Sequence, residues 1–161
     1  VEYWHDKDNG MWEEYEEVHA SSVGACVAGL KAMKELLYIP EEYIRKGEIA
    51  LKELLPRESI SKEVDLALLS LIYPYKIVDE ETAKTILENV EKELVREKGV
   101  IRYNGDQYYN DNGEAEWTFG FPWLAIIYRE CTIKKGPKYA QRPRKFLADL
   151  LPGQVLLRPS V

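Results

Sequence analysis

Apolar residues recur at helical spacing through most of this sequence, and prolines and glycines separate the recurring segments. Val23 and Val27 are four residues apart, as are Ile86 and Val90, and further apolar residues continue both series. Such spacing places the apolar side chains on one face of a helix. No segment shows the apolar–polar alternation of a half-buried strand. The sequence therefore predicts an all-α fold.

Capping residues and prolines indicate where these helices begin and end. Ser61 and Asp79 are the predicted N-caps of the third and fourth helices, because their side-chain oxygens can accept hydrogen bonds from the first free backbone N–H groups. Pro40 and Pro56 bound the second helix. The predicted helices span residues 17–37, 40–56, 61–73, 79–99, an apolar stretch around 122–128, and 138–151.

Helices joined in succession by short links can stack as a solenoid or close into an α/α toroid. The sequence contains no repeat of fixed period, which disfavours the solenoid. A toroid gathers its loops at one rim, so we expect the two irregular segments, residues 8–15 and 100–117, to share that rim. The predicted fold is an all-α chain that forms part of a toroid.

The composition suits one soluble globular domain of 161 residues, with a formal charge of −6 and 45% hydrophobic residues. No run approaches the roughly 18 consecutive apolar residues of a membrane span, and no signal peptide opens the chain. An acidic chain is poorly suited to nucleic acid phosphates. We therefore expect a cytoplasmic protein that binds neither a membrane nor nucleic acid.

The cysteines indicate the redox environment of the protein, and the first residue bears on whether the chain is a fragment. Cys26 and Cys131 are far apart and form no CxxC pair, so we expect no structural metal and a reducing compartment. Val1 stands where an initiator Met would be. We expect residues 1–161 to be a single partial domain, a fragment of a larger protein.

Residues 8–19 read DNGMWEEYEEVH, with glutamates directly behind a tryptophan. One interpretation is the charged start of a helix, where carboxylates are favourable. The other is a carbohydrate site, in which Trp12 forms a platform for a sugar ring and a glutamate acts as a general acid. Close like charges and an adjacent indole raise a carboxyl pKa, as a proton donor to a glycosidic oxygen requires.

A second polar and aromatic segment, residues 102–117, reads RYNGDQYYNDNGEAEW. Charged and amide groups make paired hydrogen bonds to sugar hydroxyls, while aromatic rings stack on the C–H faces of sugars. The alternative is a loop whose tyrosines anchor it to the core. The candidate sugar-binding residues of this segment are Arg102, Tyr103, Asp106, Tyr109 and Trp117.

Together these motifs resemble glucoamylase-type enzymes, glycoside hydrolase family 15. The similar stretches, in the order of that family, are DNGMWEEYEEVH, DLALLSLIYPY, GVIRYNGDQYY and EWTFGFPWLAIIY, and the resemblance covers nearly the whole chain. It implies an (α/α)6 toroid of the six-hairpin glycosidase type that hydrolyses α-glucosidic bonds in oligosaccharides or polysaccharides with inversion. It implies no metal or organic cofactor, because carboxyls perform both proton transfers.

The resemblance also implies roles for individual residues. Glu13 matches the general acid, Glu14 matches a substrate-binding carboxylate, and Trp12 matches a wall of the sugar pocket. His19 would support the two glutamates from the following helix; the alternative, which a lone histidine favours, is a residue of the core. The residues that match positions lining or supporting the pocket from the second segment are Arg102, Tyr103, Asp106 and Trp117.

Two features depart from the family. A full toroid has twelve helices and this chain supplies about half, so the remainder of the toroid is an expected partner within a longer parent chain. The position of the general base reads LLPGQVLL here, with Gly153 where the family has a glutamate. A glycine cannot accept a proton from water. Either this chain lacks its base, or the match is chance and the base lies elsewhere.

Three functions remain open at this point. The first is inverting hydrolysis of α-glucosides, and the second is non-catalytic carbohydrate binding or regulation on the same fold. The third is a helical scaffold that binds protein along a groove, with the glutamates as a solvated face. The sequence leaves the sugar, its linkage and the oligomeric state undetermined.

Overall fold

The computed structural model describes residues 2–110, 113–135 and 148. The chain divides into two compact units, Val1–Glu93 and Leu94–Val161. The regular structure in these described residues is helical, and only isolated β-bridges accompany it. The prediction of an all-α fold is therefore confirmed. Gly153 and nearly all of the predicted helix over residues 138–151 lie outside the described part of the chain.

The first unit contains a packed pair of helices, α1 at Ala20–Met33 and α2 at Glu41–Leu54. Both lie inside the predicted ranges, and part of each periodic series is buried, as Val27 and Ile44 illustrate, whereas Met33 at the end of α1 is exposed. The helices approach closely at Gly47, where an added Cβ would lie 2.6 Å from a methyl group of Val27. The small residue thus permits the close approach of the two helices.

The third helical segment begins later than predicted. A 3₁₀ turn at Leu66–Leu68 leads into the short helix α3 at Leu69–Ile72, and its N-cap is Asp65, whose side chain accepts a hydrogen bond from the Ala67 backbone N–H. Ser61 does not cap this helix. Its hydroxyl donates to the Glu17 carboxylate at 2.8 Å instead, a contact between residues 44 positions apart that local sequence does not reveal.

Helix α4 spans Glu80–Glu93. The predicted cap is confirmed, because Asp79 Oδ1 accepts a hydrogen bond of 2.8 Å from the Thr82 backbone N–H. The predicted extension to Gly99 is wrong. The backbone folds back after the helix, and the Arg96 N–H donates to the Gly99 carbonyl at 2.9 Å.

The described part of the second unit contains this turn, the irregular segment that follows it and helix α5 at Gly120–Lys135. Val100 bridges Trp117 through two backbone hydrogen bonds of 3.0 and 2.9 Å, which close residues 101–116 into a loop. We call residues 100–117 the aromatic loop. Gly120 lies against Val100, with space too small for a Cβ. None of the helices described here is long and apolar enough to cross a membrane.

Two glycines of α1 allow a direct test of its packing. A Cβ on Gly24 would lie 2.2 Å from Leu71 Cδ2, in the core, whereas a Cβ on Gly29 would meet nothing within 4 Å. We expect Gly24→Ala to lower the free energy of unfolding by about 1–3 kcal/mol through overpacking. The control Gly29→Ala should raise it by up to about 1 kcal/mol, because alanine favours helix. Urea denaturation measures both, and equal effects would contradict the described packing.

Candidate active site

The stretch that carries the candidate acid is a closed loop rather than the first turn of a helix. Asp8 and Glu17 exchange two backbone hydrogen bonds, of 2.9 and 3.0 Å, and so close residues 8–17. We call these residues the acidic loop. Gly10 has a φ of +64°, and its Cα lies against the ring of the buried His19, so that an added Cβ would be 2.9 Å from the ring. A glycine is therefore required at this turn.

Side chains from a distant part of the sequence hold two of the three residues in the Trp-Glu-Glu motif. The Trp12 indole N–H donates to Asp65 Oδ1 at 2.8 Å. The Lys62 ammonium lies 3.5 Å from Glu14 Oε2 and 3.8 Å from Asp65 Oδ2. Lys62 and Asp65 are both buried. The tryptophan and the second glutamate are thus attached to the turn that precedes α3.

Glu13, between these two anchored residues, has a different environment. It is exposed, and its backbone lies in the left-handed region with a φ of +55°. Its N–H donates to the Gly10 carbonyl at 3.2 Å. Residues other than glycine rarely adopt this conformation, which is often associated with functional sites. The loop therefore presents the predicted acid to solvent while fixing the residue on each side.

A second buried carboxylate, Glu58, lies at the start of α1. Its Oε1 accepts a hydrogen bond of 2.5 Å from the Ser21 hydroxyl and lies 3.5 Å from His19 Nδ1. His19 Nε2 lies 2.9 Å from the Tyr15 carbonyl oxygen. His19 thus connects Glu58 to the acidic loop as a buried histidine, and its support of the two glutamates stays a prediction.

Burial perturbs the titration of this network. Burial raises the pKa of Asp65 from 3.8 to about 7, and the nearby Glu58 carboxylate adds to the increase, against the opposing effects of Ala67, Trp12 and Lys62. Burial acts to lower the pKa of His19, but the Glu58 carboxylate and the Tyr15 carbonyl outweigh it, so that this pKa is raised. Asp65 is therefore divided between its neutral and ionised forms near neutral pH.

In the second unit, a buried ion pair organises the aromatic loop. Arg102 Nε and Nη2 donate to the two carboxylate oxygens of Asp106, each at 2.6 Å. Asp106 Oδ1 also accepts from the Tyr108 N–H at 2.9 Å. Tyr103 is buried as well. These three predicted residues contribute to the interior of the loop, and their role at a sugar pocket stays a prediction.

Aromatic side chains cover the outer part of this loop. Tyr109 is 72% exposed and Tyr108 is 52% exposed, with their ring centroids 4.7 Å apart. Tyr108 stacks on Trp117 at 6.0 Å, and the Arg102 guanidinium lies 4.9 Å from the centre of the Tyr108 ring. The Trp117 indole N–H has no hydrogen-bond partner among the residues that the structure describes.

The structure thus assembles the candidate residues into two groups, one in each unit. Trp12, Glu13 and Glu14 lie in the acidic loop, and the candidate residues of the second segment lie in the aromatic loop. That the two loops share one rim stays a prediction. Among the described residues, no His, Cys, Asp or Glu side chains are grouped to hold a metal ion.

Two kinds of known protein are found among those with similar sequences. The probable alpha regulatory subunit of phosphorylase b kinase from Drosophila melanogaster is 25% identical over an aligned stretch of 193 residues, which covers 95% of this chain and 16% of that protein. Its counterpart from Caenorhabditis elegans is 30% identical over 122 residues, covering 63% of this chain and 10% of that protein. No protein-family profile matches the sequence.

The other kind is an uncharacterised glycosyl hydrolase from Methanocaldococcus jannaschii. It is 28% identical over 144 residues, which cover 74% of this chain and 22% of that protein. The chain is distantly related to a glycosyl hydrolase and to regulatory subunits. These relationships agree with the all-α fold class of the six-hairpin glycosidase type. The chain spans between 10% and 22% of the length of these three relatives.

The buried network of Glu58, Lys62 and Asp65 was not anticipated from the sequence. A signal for one member was present, because Asp65 directly precedes the apolar run LALLSLI, where a helix cap is expected. The other two belong to the charged segment RESISKEVD, whose pattern is typical of a solvated loop. Their partners, Ser21 for Glu58 and Glu14 for Lys62, lie in distant parts of the sequence, so only the tertiary structure reveals these contacts.

The raised pKa of Asp65 predicts how stability depends on pH. Between about pH 4 and 7 the folded protein holds a proton on Asp65 that the unfolded chain has lost, so the free energy of unfolding falls as pH rises through this window. We expect Asp65→Asn, which has no charge to titrate, to remove this contribution. The difference in unfolding free energy between the original protein and the variant should fall by about 2 kcal/mol from pH 5 to pH 7.

Urea denaturation at several pH values measures that difference. His19 titrates in the same direction, but it is present in both proteins and its contribution largely cancels. Glu58, Lys62 and Glu14 also remain in both. A difference that is constant across the pH range would show that Asp65 is ionised throughout, contrary to the effect of its burial.

Proposed function

We propose that this chain carries part of the carbohydrate site of a glucoamylase-like glycoside hydrolase, with Glu13 as the general acid. The observation that carries the proposal is the acidic loop itself. Trp12 and Glu14 are held by Asp65 and Lys62, and Glu13 stands exposed between them. A proton donor to a glycosidic oxygen has to be accessible to substrate and fixed in position.

In this mechanism Glu13 protonates the oxygen of the departing glucoside. A base on the opposite side of the sugar activates water, which attacks the anomeric carbon and inverts it. Trp12 would supply one wall of the pocket. In the second unit, the exposed aromatic rings offer a surface of their own on which a sugar would stack, with Tyr109 as the most exposed of them. No step requires a metal or an organic cofactor.

The second candidate is a binding or regulatory protein that retains the sugar site without turnover. Two observations favour it. The resemblance places Gly153 at the position of the family's base, unless the match of LLPGQVLL is chance, and a glycine supplies no proton acceptor. The relatives that cover much of this chain include regulatory subunits of phosphorylase b kinase. Both candidates require oligosaccharide binding, whereas the helical scaffold requires none.

Tyr109 provides the test of binding. We expect the chain to bind maltotriose, and we expect Tyr109→Ala to weaken binding by about 3- to 10-fold through loss of a stacking surface. Tyr38→Ala is the matched control, because Tyr38 is 90% exposed and has no proposed role. Isothermal titration calorimetry measures each affinity. Absence of binding to the original chain and to the full-length protein would favour the scaffold.

Glu13 and Gly153 together test the chemistry. We expect the full-length protein to hydrolyse maltotriose extremely slowly and Gly153→Glu to restore hydrolysis with release of β-glucose. Adding Glu13→Gln to that variant should lower turnover by about 10²- to 10⁴-fold, because an amide cannot donate the proton.

The control is Glu16→Gln in the same background, since Glu16 is an exposed glutamate of the same loop with no proposed role. NMR reports both the rate and the anomeric form of the product. Brisk hydrolysis by the original protein would mean that the base lies elsewhere than position 153. Sugar binding without hydrolysis in every variant would favour the regulatory candidate.

A further inference from the structure

Beneath the acidic loop lies a buried lysine whose surroundings are mostly acidic. The Lys62 side chain is only 4% exposed, and its ammonium lies between the carboxylates of Glu14 and Asp65. The turn that carries Lys62 is itself held by its backbone, since the Glu58 and Ser59 N–H groups both donate to the Lys62 carbonyl, at 3.0 and 3.1 Å. These two hydrogen bonds fix the backbone of Lys62, from which its ammonium reaches Glu14 and Asp65.

Asp65 is equally constrained. Its Oδ1 accepts two hydrogen bonds, one from the Ala67 backbone N–H at 2.7 Å and one from the Trp12 indole at 2.8 Å. The first attaches the carboxyl to the start of the 3₁₀ turn before α3, and the second attaches Trp12 to the carboxyl. A side chain that caps its own helix at the same time holds the tryptophan of the acidic loop.

We propose that Lys62 and Asp65 are positioning residues that hold Glu13 in place by anchoring its two neighbours. Asp65 anchors Trp12, and Lys62 anchors Glu14. The residue between two fixed points cannot relax freely, which accounts for the left-handed backbone of Glu13, with a φ of +55°, in a residue that ordinarily avoids this region. The positioning of Glu13 matters for sugar binding and hydrolysis only if the proposed function is correct, and this part of the inference rests on it.

A purely structural role makes a different prediction from a positioning role. If Asp65 served only as the cap of the 3₁₀ turn, its loss would affect α3 and leave the acidic loop unchanged. If Lys62 served only to offset buried negative charge, a neutral substitution would change stability without loosening the loop. The motion of residues 9–14 therefore separates the two interpretations.

The experiment measures hydrogen exchange by NMR in the complete 161-residue chain. The readouts are the Trp12 indole N–H, assigned by its disappearance in Trp12→Phe, and the backbone amides of residues 9–14. We expect exchange to become about tenfold faster or more in Lys62→Met at the loop amides, and in Asp65→Leu at the indole. The amides of α1 should keep their protection, which shows that the chain remains folded.

Two further variants sharpen the comparison. Asp65→Asn keeps a carbonyl oxygen for the Trp12 and Ala67 N–H groups, so it should retain slow indole exchange. Lys31→Met removes a lysine of a surface ion pair with Glu48 and should leave the acidic loop unchanged. If Asp65→Leu fails to fold, Lys62→Met decides the matter. Loop exchange in folded Lys62→Met equal to that of the original chain would overturn the proposal.

Titration with maltotriose connects positioning to the site. Where the original chain binds, we expect Lys62→Met to weaken binding by about tenfold or more while Lys31→Met binds normally. Equal binding by Lys62→Met, despite faster loop exchange, would overturn the positioning role. If the original chain does not bind sugar, the proposed function fails, and the exchange rates still decide whether Lys62 and Asp65 hold the loop.

Discussion

Two carboxylates, Glu58 and Asp65, lie almost completely buried in the first unit, and much of the local structure depends on how their charge is compensated. An ionised carboxylate removed from water is strongly destabilising unless hydrogen bonds or opposite charges offset the loss of hydration. Here the compensation comes from backbone N–H groups, the Ser21 hydroxyl, the Trp12 indole, the His19 imidazole and the Lys62 ammonium. Each partner belongs to an element that is thereby fixed.

The same contacts determine where helices begin. His19, the N-cap of α1, makes no capping hydrogen bond with its side chain. Glu58 supplies that function from elsewhere, because its backbone carbonyl accepts from the Ala20 N–H at 2.7 Å and its carboxylate accepts from the Ser21 N–H at 3.2 Å. A negative charge at a helix N-terminus is favourable. The segment before α3 therefore stabilises α1 and the acidic loop together.

The sequence predicted those features that depend on neighbouring residues. The helical periodicity of Ile44 and Val90 identified α2 and α4, and the cap at Asp79 was correct because its partner, Thr82, is three residues away. Predictions failed where a distant residue competed. Ser61 had the right side chain for a cap, but Glu17 binds its hydroxyl. The Lys62 and Asp65 network joins segments about 50 residues apart, and no local pattern marks such a contact.

The acidic loop and the aromatic loop have one feature in common, which is a pair or group of buried charged side chains. The aromatic loop has a buried ion pair between Arg102 and Asp106, and the acidic loop has Lys62 between Glu14 and Asp65. In each case charged groups inside the protein hold a backbone that carries exposed polar or aromatic side chains outside. Under the proposed function, the aromatic loop contributes to sugar binding, whereas the acidic loop carries the general acid.

Among the described residues, Lys62 contacts Glu14, Asp65 contacts Trp12 and Ser61 contacts Glu17, and these contacts help to hold the acidic loop. Under the proposed function, replacement of the catalytic base by glycine would remove turnover, whereas these contacts would continue to hold Trp12 and Glu14 in place. A fold that hydrolyses glucosides could in this way become one that only binds them. Similarity to both a glycosyl hydrolase and kinase regulatory subunits is what such a history would produce.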